Sequence, residues 1–250
     1  MKKTAICLCL LILSVSVLGL AQDTTQEALN FNNQAVVHSQ SKKYEAAIEL
    51  LLKAIELEPN YATAYYNLGT AYFYLQQLDK AESSFQKAIK LYPDYSQAYN
   101  QLGAIYLEKV ENEKAVNAFK QAISLNLHNS TAIYNLGCVY IRLGKFKEAI
   151  ESLEKAKELN ENNVEIRVNL GFAYHAQKRY REAIAELEKS VNLAPNDDQA
   201  QFMLGVLYWQ VKDKEQALAQ YARIKLTNEK LARQLYQAIY NDKIVTVANR

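Results

Sequence analysis

The sequence predicts an all-α protein, a solenoid of six tandem helical hairpins closed by one further helix at the C-terminus. Two regularities carry this. Gly69, Gly103, Gly137, Gly171 and Gly205, five of the chain's seven glycines, stand 34 residues apart. Ala47, Ala81, Ala115, Ala149, Ala183 and Ala217 repeat with the same period, and all three prolines, Pro59, Pro93 and Pro195, share one register. Composition agrees: glycine and proline are scarce, and Ala, Leu, Glu, Lys and Gln are plentiful, which favours helix over sheet. A repeat of this length holds two helices and a turn, and it buries its apolar face only against its neighbours.

At the N-terminus, residues 1–21 read as an export signal. Lys2 and Lys3 form a positive start, Thr4 to Ala21 carries no charge, and Gly19-Leu20-Ala21 offers small residues for cleavage before Gln22. The alternative is an uncleaved inner-membrane anchor over residues 4–21, because the apolar run of roughly 17 residues approaches the ~20 needed to span a bilayer. Loss of Lys2 and Lys3 leaves 27 basic residues against 27 acidic ones, a mature charge near zero that disfavours nucleic-acid binding. Loss of Cys7 and Cys9 leaves Cys138 alone, so no intramolecular disulfide forms and packing must supply stability.

Residues 22–27 form a short linker. The repeats follow at 28–61, 62–95, 96–129, 130–163, 164–197 and 198–231. In each of the last five, Leu precedes the glycine and Tyr follows three residues later (Leu68, Gly69 and Tyr72 in the second), giving the first helix one apolar stripe. The bare glycine is expected to let the second helix approach where the alanine column faces it. Breaks such as Gln76-Gln77, Gly144-Lys145 and Lys178-Arg179 turn the chain back, and the prolines end the second helix. Asn60, Asp94 and Asn196, just after the prolines, suit the turn or an N-cap. Arg167 and Gln201 replace the large apolar residue that opens the stripe in repeats five and six, and Leu127 and Glu161 replace the proline in repeats three and four, which predicts looser junctions there. Residues 228–240 read as a capping helix and 241–250 as a polar tail.

This pattern resembles the tetratricopeptide repeat (TPR). The second repeat matches every signature position with Tyr65, Leu68, Gly69, Tyr72, Ala81, Phe85, Ala88 and Pro93. The resemblance implies a right-handed α-solenoid of six tandem TPR helical hairpins with a C-terminal capping helix, in which the first helix of each hairpin lines a concave, protein-binding groove. One groove column then runs Asn33, Asn67, Gln101, Asn135, Asn169 and Met203. A carboxamide pairs with both groups of a peptide bond, so such a ladder can hold a peptide backbone; alternatively the amides bond neighbouring helices and water. Beside it lie Tyr66, Phe73, Tyr74, Leu107, Tyr134, Ile141, Val168, Phe172, Phe202, Val206 and Trp209, off the stripe filled by Leu, Gly and Tyr. Trp209, the only tryptophan, either anchors a partner or packs under the C-terminal helix. The family's carboxylate clamp maps to Asn32, Val36, Asn67, Gln97 and Gln101, of which only Asn67 fits, so an acidic chaperone tail is disfavoured.

No catalytic, cofactor or metal site is expected. His38, His128 and His175 lie in different repeats, with His175 read as a solvated groove residue. Cys138 reads as a small buried hydrophobe, with a redox role as the alternative. Glu148 with Glu151 and Glu182 with Glu186 read as solvated helix faces. The expected function is a protein–protein interaction scaffold or adaptor binding a peptide or partner protein in the concave groove, in the bacterial cell envelope, exported to the periplasm or secreted. No nucleic acid or small-molecule substrate is expected, and a membrane only if the N-terminal segment stays uncleaved. The alternatives are a non-catalytic targeting subunit of a glycosyltransferase-type or other envelope enzyme complex, and a self-associating structural protein.

Overall fold

The structure, a computed structural model, describes residues 24–241. The expected export signal and all of the tail after Asn241 lie outside them. Among the described residues there are thirteen helices and no strand. Helix α1 spans 24–40, followed by α2 (Tyr44–Leu57), α3 (Ala62–Tyr74), α4 (Leu78–Leu91), α5 (Ser96–Glu108) and α6 (Asn112–Leu125). These form one compact unit ending at Leu127. A second unit begins at His128 and holds α7 (Ser130–Arg142), α8 (Phe146–Leu159), α9 (Val164–Ala176), α10 (Tyr180–Leu193), α11 (Asp198–Gln210), α12 (Lys214–Lys225) and α13 (Glu229–Asn241). The helices pair as six hairpins. Within each unit the second helix of a hairpin packs on its own partner and on the first helix of the next, as α4 does on α3 and α5, and α10 on α9 and α11. Helix α13 packs on α12 and α11, as expected of a cap.

The turn inside each hairpin is the same six times over. Lys42, Gln76, Val110, Gly144, Lys178 and Lys212 adopt left-handed backbone, with φ between 58° and 70°, and stand 34 residues apart. The next amide bonds back to the carbonyl five residues earlier, as Gln77 N–H does to Tyr72 at 2.9 Å and Lys145 N–H to Tyr140 at 2.8 Å. This Schellman closure satisfies carbonyls that the helix end would otherwise leave bare. It recurs with only one glycine among the six, so the turn is held by its hydrogen bonds and the hairpin's packing rather than by local preference.

In the turn between hairpins, Asn60, Asp94 and Asn196 take the first of the two places expected of them. The helix-capping residue is not Asn60, Asp94 or Asn196 but the residue one further on. Asn129, Asn163 and Asp197 accept amide hydrogen bonds of 3.0 Å from the first turns of α7, α9 and α11. At the matching positions before α3 and α5, Tyr61 and Tyr95 offer no side-chain cap and pack their rings against the core instead.

The hydrophobic centre explains the glycine column and corrects its expected partner. A methyl group built on Gly69 would meet the Phe85 ring at 2.8 Å, on Gly103 the Phe119 ring at 2.5 Å, and on Gly137 and Gly171 the side chains of Leu153 and Leu187, each at 2.7 Å. The glycine therefore admits the large residue of the second helix, while the fully buried alanine column lies alongside. In the last hairpin the equivalent position is Tyr221, which turns outward to Tyr236; Leu235 of α13 fills the place beside Gly205, 2.6 Å from a built methyl carbon.

The second unit also carries buried charge where the sequence suggested solvent. Arg167 is 3% exposed and Glu186 8%, and their Nη1 and Oε2 atoms pair at 2.6 Å. Lys157 bridges Glu186 at 3.0 Å and Glu154 at 2.6 Å, and the Tyr174 hydroxyl donates to Glu154 at 2.7 Å. Glu182, by contrast, is exposed and pairs with Arg179. Burial opposes ionisation of Glu154, but hydrogen bonds from Lys157 and Tyr174 outweigh it and hold its pKa below the usual carboxylate range. Arg167 also donates to the Glu161 carbonyl at 2.6 Å, and Gln201 does the same to the Pro195 carbonyl. The two polar replacements thus bind the carbonyls of the turns ahead of them. The junction at Glu161 is tied by a side chain in place of a proline ring.

Two expectations follow. Gly103→Ala should lower stability, because overpacking against the immobile Phe119 costs about 1–3 kcal/mol and exceeds the roughly 1 kcal/mol gained in helix propensity. Thermal denaturation checks the sign. Arg167→Ala should cost about 3–5 kcal/mol by leaving Glu186 buried with its charge half paired, whereas the double change Arg167→Met with Glu186→Leu should be close to neutral. Urea denaturation of the three proteins distinguishes the outcomes.

Candidate functional site

In the unit ending at Leu127, the candidate residues lie on α1, α3 and α5. The Asn67 side chain donates from Nδ2 to Oδ1 of Asn32 at 2.8 Å, joining α3 to α1. Asn32 is buried, so one of the carboxylate-clamp positions is occupied with holding its neighbour. The Asn67 oxygen takes no hydrogen bond from the described residues, and neither Asn33, which is exposed, nor Gln101, half-buried, makes a side-chain bond among them. Tyr66 stacks on Tyr95 with centroids 5.0 Å apart and tilts against Phe85 at 5.6 Å. Tyr66 and Phe73 are half-buried and packed on the core, so they wall the face rather than project from it. Burial pushes the Tyr66 hydroxyl's pKa up, as it does for Tyr95. Tyr74 is 57% exposed and stacks on Tyr44 at 4.9 Å. Tyr95 is the residue that sequence reasoning missed; its 34-residue spacing from Tyr61 was the available signal.

In the unit beginning at His128, the same arrangement recurs on α7, α9 and α11. Asn169 donates from Nδ2 to the Tyr134 hydroxyl at 3.0 Å and lies 3.8 Å from the Cys138 sulfur. As with Asn67 and Asn32, the sixth residue of one repeat reaches the fifth residue of the repeat before it. Asn135 is half-buried and makes no side-chain bond among the described residues. His175 is not a freely solvated groove residue: its Nε2 sits 3.0 Å from Gln210 Oε1, joining α9 to α11. Phe172 makes an edge contact with Phe146 at 6.1 Å, and Trp209 is half-buried. Phe202, expected on the face, is 7% exposed and belongs to the core. Met203 breaks the amide column in the last hairpin.

Burial raises the Cys138 thiol's pKa and the Glu165 carboxylate adds to this, only partly offset by the Tyr134 hydrogen bond. The sulfur is thus held as a thiol, the unreactive form. The Tyr134 hydroxyl is likewise pushed up, by burial first and then by Cys138 and Glu165. What the two faces offer is hydrogen bonding and partly exposed apolar surface.

A family model described as the cilia and flagella-associated protein 70 C-terminal domain matches residues 21–202, and one described as tetratricopeptide repeat matches residues 174–239. No curated protein matches the sequence. Among solved structures, PilF of Pseudomonas aeruginosa is 20% identical, with a TM-score of 0.75 over 86% of this chain and 99% of its own. YrrB, described as a TPR protein with an unusual peptide-binding site, is 27% identical, with a TM-score of 0.68 over 75% of this chain and 97% of its own. A tetratricopeptide repeat protein from Parabacteroides merdae is 21% identical, with a TM-score of 0.68 over 87% of each chain. With hairpins, glycine contacts and family models in agreement, the chain belongs to the tetratricopeptide-repeat family.

Proposed function

We propose that the protein is a non-catalytic interaction scaffold that holds a peptide segment of a partner protein along the first helices of its hairpins. The observation that carries this is the repeated bond from Asn67 to Asn32 and from Asn169 to Tyr134. Each bond fixes a carboxamide on the helix surface and leaves its carbonyl oxygen open, so the side chain is oriented before a ligand arrives. An oriented acceptor at the same repeat position in each unit suits a peptide backbone held on that unit's own face, because a backbone presents donors at regular intervals. The likeness to YrrB, described as binding peptide, supports the reading. The site of action we propose is the bacterial cell envelope, from the export signal at residues 1–21.

Capture from a native envelope extract tests the function. Wild-type protein should retain a partner that the triple variant Asn67→Ala, Asn135→Ala, Asn169→Ala loses. Because Asn67→Ala orphans the buried Asn32 at a cost of about 1–3 kcal/mol, a second variant, Asn33→Ala with Asn135→Ala, removes amides that hold nothing in the fold. Equal capture by all three proteins would move the binding surface away from these columns. For location, N-terminal sequencing of the protein from its native host should begin at Gln22, in a soluble envelope or secreted fraction. A chain that keeps residues 1–21 and sediments with membranes would mean an anchor instead.

A further inference from the structure

We infer that the unit beginning at His128 takes an internal peptide segment carrying apolar side chains, and that it recognises the segment's backbone N–H groups rather than a terminal carboxylate. This rests on the peptide-binding reading above and names the ligand class of one of its two faces. Helices α7, α9 and α11 are joined side by side through Asn169 with Tyr134 and His175 with Gln210, so their outward stripes form one surface. On it Ile141, Val168, Phe172, Met203, Val206 and Trp209 are all half-buried, each keeping part of an apolar side chain in reach of solvent. Partly exposed apolar side chains gathered on one face mark a surface that gains by being covered.

Charge decides between the two ends of ligand chemistry. The three helices contain no lysine. Of their two arginines, Arg167 is buried against Glu186, and Arg142 stands at the C-terminal end of α7. Glu165, exposed in the first turn of α9, places its negative charge close enough to Tyr134 and Cys138 to disfavour loss of their protons. The Asn169 amide is committed to Tyr134 and Cys138, which leaves its oxygen as the part able to bond a ligand. A carboxylate arriving beside Asn169 would meet an acceptor and a like charge. A backbone N–H would meet a partner for its hydrogen, and its neighbouring side chains an apolar floor.

The test uses the full chain and two displayed libraries of short random peptides, one flanked on both sides and one ending in a free C-terminus. Trp209, the only tryptophan, gives the readout through its emission. The flanked library should yield sequences rich in Leu, Ile, Val and Phe and poor in Asp and Glu. A synthetic peptide of that sequence, capped at both ends, should shift Trp209 emission. Its affinity should fall about tenfold with Asn169→Ala, the loss expected of one hydrogen bond, and stay within about twofold with Asn67→Ala. Glu165→Lys, an exposed change, should raise the share of acidic peptides selected without altering the melting temperature. Enrichment of acidic C-termini would overturn the inference and leave the peptide-binding reading standing. So would peptides whose binding depends on Asn67 and not on Asn169. Failure of both libraries would overturn both.

Discussion

Four of the six hairpins, the second to the fifth, close on the contact between a glycine of the first helix and a large side chain of the second. The built methyl carbon would lie 2.5–2.9 Å from ring or leucine carbons at every one of the five glycines, well inside ordinary van der Waals separation. A glycine in mid-helix sacrifices about 1 kcal/mol of propensity, and close packing of a fully buried Phe or Leu more than offsets it. The contact recurs every 34 residues, at the same register of each of these hairpins. From this follows the rest: the alanine column is buried alongside and the left-handed turn closes identically six times. Even the C-terminal helix obeys it. Tyr221 leaves the position beside Gly205, and Leu235 enters from α13, so the last repeat is completed by a helix that is not part of it.

Between hairpins the two units rely on different chemistry. Up to Leu127 the junctions are aromatic: Tyr61 and Tyr95 give up the capping role and bury their rings. From His128 onward Asn129, Asn163 and Asp197 cap the helices, and polar side chains enter the interior. Arg167, Glu186, Lys157 and Glu154 form a chain across α8, α9 and α10, and Arg167 and Gln201 bind turn carbonyls six residues back. Such a network adds little net stability over apolar packing, but it tolerates few alternative arrangements, since a shift of one helix strands a buried charge. It therefore orients α9, the helix that carries Asn169, Phe172 and Glu165.

The candidate faces combine an open function with a structural one. The column of carboxamides is partly committed to the fold. Asn67 and Asn169 spend their donors on the preceding hairpin, and in doing so present oxygens in fixed orientation. Asn33, Gln101 and Asn135 keep both groups. The side chains around them divide by unit. Tyrosines packed on the core line the first, and partly exposed aliphatic and aromatic residues with a single exposed carboxylate mark the second. A ligand spanning one face would thus meet different demands from a ligand on the other.

The sequence by itself determined the architecture. A period of 34, repeated in glycine, alanine, tyrosine and proline, leaves no other way to bury the apolar stripes than stacked hairpins. It also determined which residues share a column, because register passes unchanged from repeat to repeat. Only the tertiary structure decided the partners. That the glycines face Phe85, Phe119, Leu153 and Leu187 instead of the alanines depends on how the two helices of a hairpin cross, which period does not encode. That Glu186 and Arg167 are buried depends on their meeting from helices 19 residues apart, where charge alone suggested solvent. That Phe202 is core, and that His175 and Asn169 bond across hairpins, depends on contacts between residues 35 apart, invisible until neighbouring helices lie side by side.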